Sequence, residues 1–377
     1  MKYQEIKCPS CESNKCETLY HYKDNIEVNQ AEFFFNTNEV VCKICGFIYT
    51  NPAPVESLLE QYYGAKYLYS GGTLDYNLEN RVNYLEKVRG SRNKLLEIGS
   101  GEGSFIRAVS RLGIEATGME PNKESGAIYS SKHIDNDSLF DLVVSNHVLE
   151  HIVNPVEFLS QLHDCMLPKG LLIFEVPNLH MYGVYATAIS HEHVSHFTPA
   201  SLSYLMRRCG FEVLDLEYRE VSRPLGFTVV AQKEENRVSS IIPSEYEVNK
   251  SYFLQAVSQV KKRENDYKNY VNSLIKSLSK KQNIVLWGAN SIAIDICKCI
   301  PQLHHSQIIV VDSNKNRWKC ELSKQYPIKI NNPDYIKELK HEPIVTICAI
   351  SWAQEITTQL LGLKVTDESI HIAPFDI

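Results

Sequence analysis

The run Leu95–Phe105, L-L-E-I-G-S-G-E-G-S-F, holds the residues best placed for chemistry: a carboxylate at Glu97 and glycines at alternate positions, Gly99, Gly101 and Gly103. An apolar stretch ending in an acid, followed by a glycine turn opening a helix, brings main-chain N–H groups close to a ligand. Only residues without a Cβ allow that approach. About twenty residues on, a second apolar segment closes on Glu120 in G-M-E-P-N, the spacing at which an acid accepts hydrogen bonds from both hydroxyls of a ribose. These residues predict a hollow for an adenosine-containing cofactor, built from Glu97, Gly99, Gly101, Gly103, Glu120 and Pro121, with Asn146 reaching it from the end of the next strand.

The spacing also separates one cofactor from another. A dinucleotide fingerprint reads G-x-G-x-x-G and sets a helix N-terminus against a pyrophosphate. Here the third glycine comes one residue early, giving E-x-G-x-G-x-G. That pattern resembles the first motif of class I S-adenosylmethionine (SAM) methyltransferases, whose donor carries a sulfonium and an amino acid and no phosphate.

Two other clusters carry chemistry. Cys8-Pro9-Ser10-Cys11 and Cys42-Lys43-Ile44-Cys45 are C-x-x-C knuckles, each able to present two thiolates to one ion. Cys8, Cys11, Cys42 and Cys45 would complete a tetrahedral zinc site with no position left for substrate, so the zinc is expected to be structural. It would hold together a segment too small for its own core, and Gly46 suits the tight turn after the second knuckle. The run Ser190–Thr198, S-H-E-H-V-S-H-F-T, is the densest group of acid–base residues in the chain. His191, His193 and Glu192 offer an imidazole of near-neutral pKa beside a carboxylate, which suits removal of a proton as a methyl donor approaches. His196 and Thr198 are also placed to cap a helix beginning near Pro199.

The elements that must position these groups follow from the apolar pattern. After the glycine loop, strand and helix patterns alternate as a doubly wound sheet requires. Asp141–Ser145 reads as a buried strand, with N-H-V-L-E-H from Asn146 to His151 at its C-terminal end, where open α/β sheets bind ligands. Val156–Leu167 reads as a helix stopped by Pro168 and Gly170, and Leu171–Val176 as the next strand. Glu120 and Asp141 lie closer in sequence than a helix, a strand and a loop require, so a third strand is expected to be clipped, with Asp135, Asn136 and Asp137 near the adenine. Residues 244–282 read as one long amphipathic helix. Beyond it come strands at Asn283–Leu286, Ile308–Val311, Ile344–Ile350 and Ile370–Phe375, a second α/β unit keeping only Gly288 of its glycine turn.

At 377 residues the chain exceeds one core, and the pattern divides it into a zinc-binding module (1–70), a doubly wound SAM-binding domain (71–243), a linking helix (244–282) and a Rossmann-like α/β domain (283–377). A net charge of −6 leaves no basic excess to neutralise phosphates, which argues against a nucleic-acid partner. No apolar run is long enough to span a bilayer and M-K-Y-Q-E-I-K lacks a signal core, so a cytoplasmic location with no membrane partner is expected. The 11 cysteines are then thiols or metal ligands.

In this order the motifs resemble the three-domain, SAM-dependent sugar C-methyltransferases of deoxysugar biosynthesis, of the tetronitrose C-methyltransferase type. The likeness runs from the knuckles through the tyrosine-rich stretch Tyr62–Gly72, the E-I-G-S-G-E-G loop, N-H-V-L-E-H and H-E-H-V-S-H-F to the C-terminal α/β unit. It implies a nucleotide-linked 4-keto sugar as substrate and attack of its enolate carbon on the SAM methyl group. By position it implies His193 as base, Glu192 as its carboxylate, His151 near the keto oxygen, Tyr67 or Tyr69 facing the sugar, and a third domain over the nucleotide. Two departures stand out: Ser190 replaces a tyrosine, removing a donor to the enolate oxygen, and the second turn is W-G-A-N-S where relatives have G-A-x-A-K-G. Methylation of a sugar oxygen or nitrogen, and a catalytically silent assembly role, are the competing readings.

Overall fold

The computed structural model describes residues 2–28, 31–67, 78–120, 139–183, 189–218, 226–235, 242, 244–278, 281–318, 320–323 and 325–373. Tyr69, Pro121, Asp135, Asn136, Asp137 and the suspected clipped strand lie outside the described residues. Two compact units are present, Met1–Val257 and Ser258–Ile377. Among the described residues no helix is long and apolar enough to cross a membrane.

The first unit opens with β1 (Tyr3–Gln4), β2 (Cys16–Val28), β3 (Ala31–Cys42), β4 (Ile48–Thr50) and β5 (Ala53–Pro54), followed by α1 (Glu56–Tyr67) and α2 (Leu78–Val88). Next come β6 (Lys94–Ile98), α3 (Ser104–Ser110), β7 (Glu115–Met119), β8 (Phe140–Asn146), α4 (Pro155–Asp164) and β9 (Met166–Pro177). It continues with β10 (Ser195–His196), α5 (Pro199–Arg208), β11 (Phe211–Tyr218), β12 (Gly226–Lys233) and the start of α6 (Tyr246–Ser277).

β6 lies between β8 and the edge strand β7 of the cofactor sheet. Its residues Leu95–Ile98 are buried, as a strand covered on both faces must be. It runs parallel to β7, with Glu97 opposite Gly118, and parallel to β8, with Glu97 opposite Val144. The strand order is β11-β12-β9-β8-β6-β7, and β12 runs antiparallel to both of its neighbours. One face packs Leu85 of α2 with Phe105 and Val109 of α3. The other packs Leu159 of α4 with Leu202 and Leu205 of α5.

The helix expected to run to Leu167 ends at Asp164, and β9 begins at Met166, running through Pro168 and Gly170. The two breakers fall in a bulge: pairing jumps from Phe140–Met166 to Leu142–Leu171, and Lys169 sits at φ 61°. An unpaired residue lets a proline sit inside a strand without forfeiting a ladder bond.

The cysteine segment holds a long hairpin, β2 with β3, that the knuckles alone do not announce. Along β3 the inward Phe33, Phe35, Thr37 and Glu39 alternate with exposed Glu32, Phe34 and Asn36, the period of a half-buried strand. β4 lies against β3, and β10 adds to β4, giving the order β10-β4-β3-β2. The segment borrows a core: Cys8, Cys42, Cys45, Phe47 and Tyr49 belong to the same apolar cluster as the α4–α5 face of the cofactor sheet. The start of α6 seats on it too. Asn249 donates to the Gly46 carbonyl at 3.1 Å, and Lys250 pairs with Glu17 at 2.5 Å. Gly46 has φ 78°, and a Cβ there would lie 2.4 Å from the Glu245 carbonyl carbon.

His196 does not cap α5. Thr198 does, in a capping box with Ser201, while His196 turns inward to Glu39, Nε2 to Oε2 3.1 Å, with Tyr182 Oη 3.1 Å from its Nδ1. Thr50 donates to the other Glu39 oxygen at 3.1 Å. Burial explains the difference, since a carboxylate 2% exposed in the hairpin must find a donor, and His196 (1% exposed) supplies it.

The second unit holds the remainder of α6, then β13 (Ile284–Trp287), α7 (Ser291–Cys299), β14 (Ile308–Val311), β15 (Ile330–Asn331), β16 (Ile344–Ile347), α8 (Ala353–Gly362) and β17 (Ile370–Ile372). The sheet is parallel throughout, in the order β15-β14-β13-β16-β17. Tyr267, Val271 and Leu274 of α6 join its core. Asp312 accepts hydrogen bonds from the Ala289 and Asn314 N–H groups, both at 2.8 Å. A Cβ on Gly288 would meet the Ala349 nitrogen at 2.8 Å.

Replacing Glu39 by Ala strands the buried His196 without its acceptor. The substitution is expected to cost about 2–4 kcal/mol in urea unfolding; an unchanged midpoint would contradict this role.

Candidate functional site

Gly99, Gly101 and Gly103 all lie in the left-handed region, at φ 74°, 49° and 74°. The Gly99 and Ser100 N–H groups donate to the Met119 carbonyl at 2.9 and 3.2 Å, and the Gly101 N–H donates to Glu120 Oε2 at 3.1 Å. The loop is thereby folded over the end of β7. Glu97 and Glu120 are both buried. A Cβ on Gly99 would strike Val148 Cγ2 at 2.5 Å, so the turn after β8 lies directly against the glycine loop.

Arg81 of α2 completes this corner. Its Nη2 is 2.5 Å from Glu97 Oε1, its guanidinium sits 4.2 Å over the Phe105 ring, and the Asn146 side-chain amide lies 3.2 Å from its Nε. Arg81 belongs to no motif, and an arginine on an amphipathic helix ordinarily points to solvent; only the fold brings it to Glu97.

The acid–base residues gather around the turn that follows Val148. A 3-10 turn, Leu149–His151, faces the loop at Glu192–Val194. The Val194 N–H donates to the Glu150 carbonyl at 2.9 Å, and His151 Nδ1 donates to the Glu192 carbonyl at 2.9 Å. This register sets the His151 and His193 rings edge to face, centroids 5.0 Å apart. The Glu192 carboxylate accepts from Tyr62 at 2.5 Å and lies 3.6 Å from His191 Nε2. Burial first, then the Glu192 charge, pushes the Tyr62 hydroxyl pKa up, so it stays a donor. His191 is packed against Phe35, centroids 4.5 Å apart. Tyr63 lies 3.0 Å from His151 Nδ1. Thus Tyr62 and Tyr63 reach the cluster, whereas Tyr67 ends α1 with its side chain outside the described residues.

The four knuckle cysteines converge. Their sulfurs lie within 4.8 Å of one another, Cys8 Sγ 3.6 Å from Cys45 Sγ and Cys11 Sγ 3.5 Å from Cys42 Sγ. Tetrahedral bonds of about 2.3 Å to a zinc ion call for similar sulfur separations. The Cys42 sulfur also accepts from the Ile44 N–H at 3.4 Å, as a thiolate ligand would.

Residues 71–216 match a family model described as a methyltransferase domain. This segment holds the glycine loop, β6 to β11 and the His151–His193 pair. The segment has the α/β fold of a class I methyltransferase. The ubiquinone biosynthesis O-methyltransferase of Ruegeria pomeroyi is 28% identical over 152 residues, 32% of this chain and 61% of that protein. The mitochondrial one of Arabidopsis thaliana is 24% identical over 155 residues, 33% of this chain and 48% of that protein. The chain therefore spans between 48% and 61% of these two relatives. Among solved structures, a Burkholderia thailandensis 1,6-didemethyltoxoflavin-N1-methyltransferase aligns with a TM-score of 0.39 at 14% identity, covering 52% of this chain and 96% of that one. A Mesorhizobium loti S-adenosylmethionine-dependent methyltransferase gives 0.37 at 16% identity, with 43% and 100% covered.

Within the methyltransferase domain, the turn after β8 holds a group that the motif reading left unassigned. Glu150 is 1% exposed, and its Oε1 lies 3.3 Å from His147 Nδ1 and 3.9 Å from His151 Nε2. His147, at φ 55°, also reaches Glu175 Oε1 with Nε2 at 3.2 Å. The His147 side chain is 48% exposed; what desolvation it has would lower its pKa, and hydrogen bonds and charge from Glu150 and Glu175 outweigh that and push it up to about 10.

A histidine whose pKa rises on folding adds stability that is fully present below its unfolded value and fades as pH climbs through the folded one. Wild type should therefore exceed His147→Gln in stability most at pH 6, and the gap should close towards pH about 10. Thermal unfolding of both proteins across that range measures it; a gap independent of pH would contradict the assignment.

Proposed function

We propose that the chain transfers the methyl group of SAM to a nucleotide-linked sugar, at a carbon beside a keto group. The observation that carries this reading is the His151–His193 pair, with His151 on the turn after β8 whose Val148 rests against Gly99 of the glycine loop. Glu120 would accept from the ribose hydroxyls. Arg81 beside Glu97 offers a guanidinium for the donor's carboxylate, and Glu97 a charge for its ammonium. His193 takes the proton from the carbon next to the carbonyl, His151 lies near the carbonyl oxygen, and the enolate carbon attacks the sulfonium methyl. Glu192, held by Tyr62 and His191, lines the same loop. The family likeness of the motifs supplies the sugar and its nucleotide.

A second reading is transfer to a hydroxyl oxygen. The relatives named as O-methyltransferases favour it, as does Ser190 where the C-methyltransferases have a phenol. Four cysteines hold a structural zinc in either case.

The test is incubation with methyl-labelled SAM and nucleotide-linked 4-keto sugars in deuterated water. Carbon methylation requires loss of the neighbouring C–H, and product retaining that hydrogen would leave only the oxygen reading. His193→Ala is expected to reduce turnover by about 10²–10⁴-fold with SAM affinity kept; wild-type turnover in that variant would sink the assignment of the base. Cys42→Ser should remove the bound zinc, read by elemental analysis, and lower the unfolding temperature; retained zinc would contradict the ligand set.

A further inference from the structure

We propose that Glu150 is the positioning residue of this site: its buried carboxylate holds the proton that His193 takes up on the His151–His193 pair. The inference rests on the proposed role of His193 as base and adds to it a counter-charge that no motif marks.

The geometry carries it. The Glu150 carboxylate, one nitrogen of His151 and one of His193 lie within 4.8 Å of one another. Apart from His147 Nδ1 at 3.3 Å, neither Glu150 oxygen has a hydrogen-bond partner among the described residues, although the side chain is 1% exposed. A buried carboxylate needs compensating positive charge. One source is His147, but that imidazole is divided between Glu150 and Glu175. The other titratable groups facing Glu150 are His151 on its own turn, His193 on the loop opposite, and Tyr182 beyond β9, whose burial first, and then the charges of Glu150 and Glu39, push its hydroxyl well up. Tyr182 thus remains neutral, leaving His151 and His193 as the other imidazoles beside the carboxylate. Burial would raise the Glu150 pKa, yet the hydrogen bond from His147 and the charges of His151, His147 and His193 hold it below the usual carboxylate range.

The backbone enforces the arrangement. The Glu150 carbonyl accepts from Val194 while its neighbour His151 donates to the Glu192 carbonyl, so the turn that carries Glu150 is tied to the loop that carries His193. In the reaction the C–H bond of the substrate breaks, its electron pair forms the enolate, and the proton goes to His193. The imidazolium so formed faces an anion already in place. Glu150 itself touches no reacting atom.

The experiment is a pH titration of the histidine side chains by nitrogen-15 NMR, on the full chain without substrate. Glu150→Gln should lower the proton-binding constant of His193 by about tenfold or more, and Glu150→Asp should restore much of it. His147→Gln should move it the other way, because Glu150 then serves fewer imidazoles; this variant keeps the test open should Glu150→Gln fail to fold. A His193 titration indifferent to these changes overturns the proposal. So does binding of manganese or zinc beyond the cysteine-held ion that Glu150→Gln abolishes, since the cluster would then be a metal centre. Absence of methyl transfer in the wild type would instead remove the function proposed above while leaving the titration result intact.

Discussion

The segment from Glu192 to Phe197 is sewn into three neighbours at once, and the site exists only because of those stitches. Val194 accepts from the Thr50 N–H at 3.0 Å and donates to Glu150. Ser195 pairs with Tyr49 in the sheet and its hydroxyl reaches the Ile152 carbonyl. His196 is fastened to Glu39 inside the hairpin, and Phe197 accepts from Leu179. Loops ordinarily tolerate movement. This one cannot shift without opening buried polar groups in the cysteine-bearing sheet, a cost of the size of a lost buried hydrogen bond at each point. The cysteine segment is therefore more than an appendage: its strands form the wall that fixes the histidines.

From that wall the chemistry follows by proximity. The glycine loop closes over β7, Val148 rests on Gly99, and the residues on either side of Val148 belong to two different tasks. Asn146 faces the Arg81–Glu97 corner, and His147, Glu150 and His151 face the acid–base loop. A single turn at the end of β8 thus joins the glycine-loop corner to the histidine cluster, at the strand ends where an open parallel sheet leaves room for ligands.

Much of this was legible in the residues. E-x-G-x-G-x-G with Glu120 marks a tight loop over the end of β7, because glycine at positive φ and an acid ending the next strand are local requirements. The doubled C-x-x-C likewise brought four sulfurs together as expected. What escaped the reading depended on distant partners. Arg81 and Glu150 look like ordinary helix and turn residues until the fold buries them. The hairpin was signalled by the alternation around Phe33 and Phe35, but the eye is drawn to the cysteines flanking it. His196 was assigned to a cap because the helix start is local and Glu39 lies far away in the chain. Pro168 and Gly170 misled for the opposite reason, since breakers mark a bulge as readily as a helix end.

The most direct test of the account is a crystal structure with S-adenosylhomocysteine bound. It should show the ribose hydroxyls on Glu120, the amino-acid end at Arg81 and Glu97, and the sulfur directed past Val148 towards His193. A ligand seated elsewhere, or a sulfur turned away from the His151–His193 pair, would contradict the account.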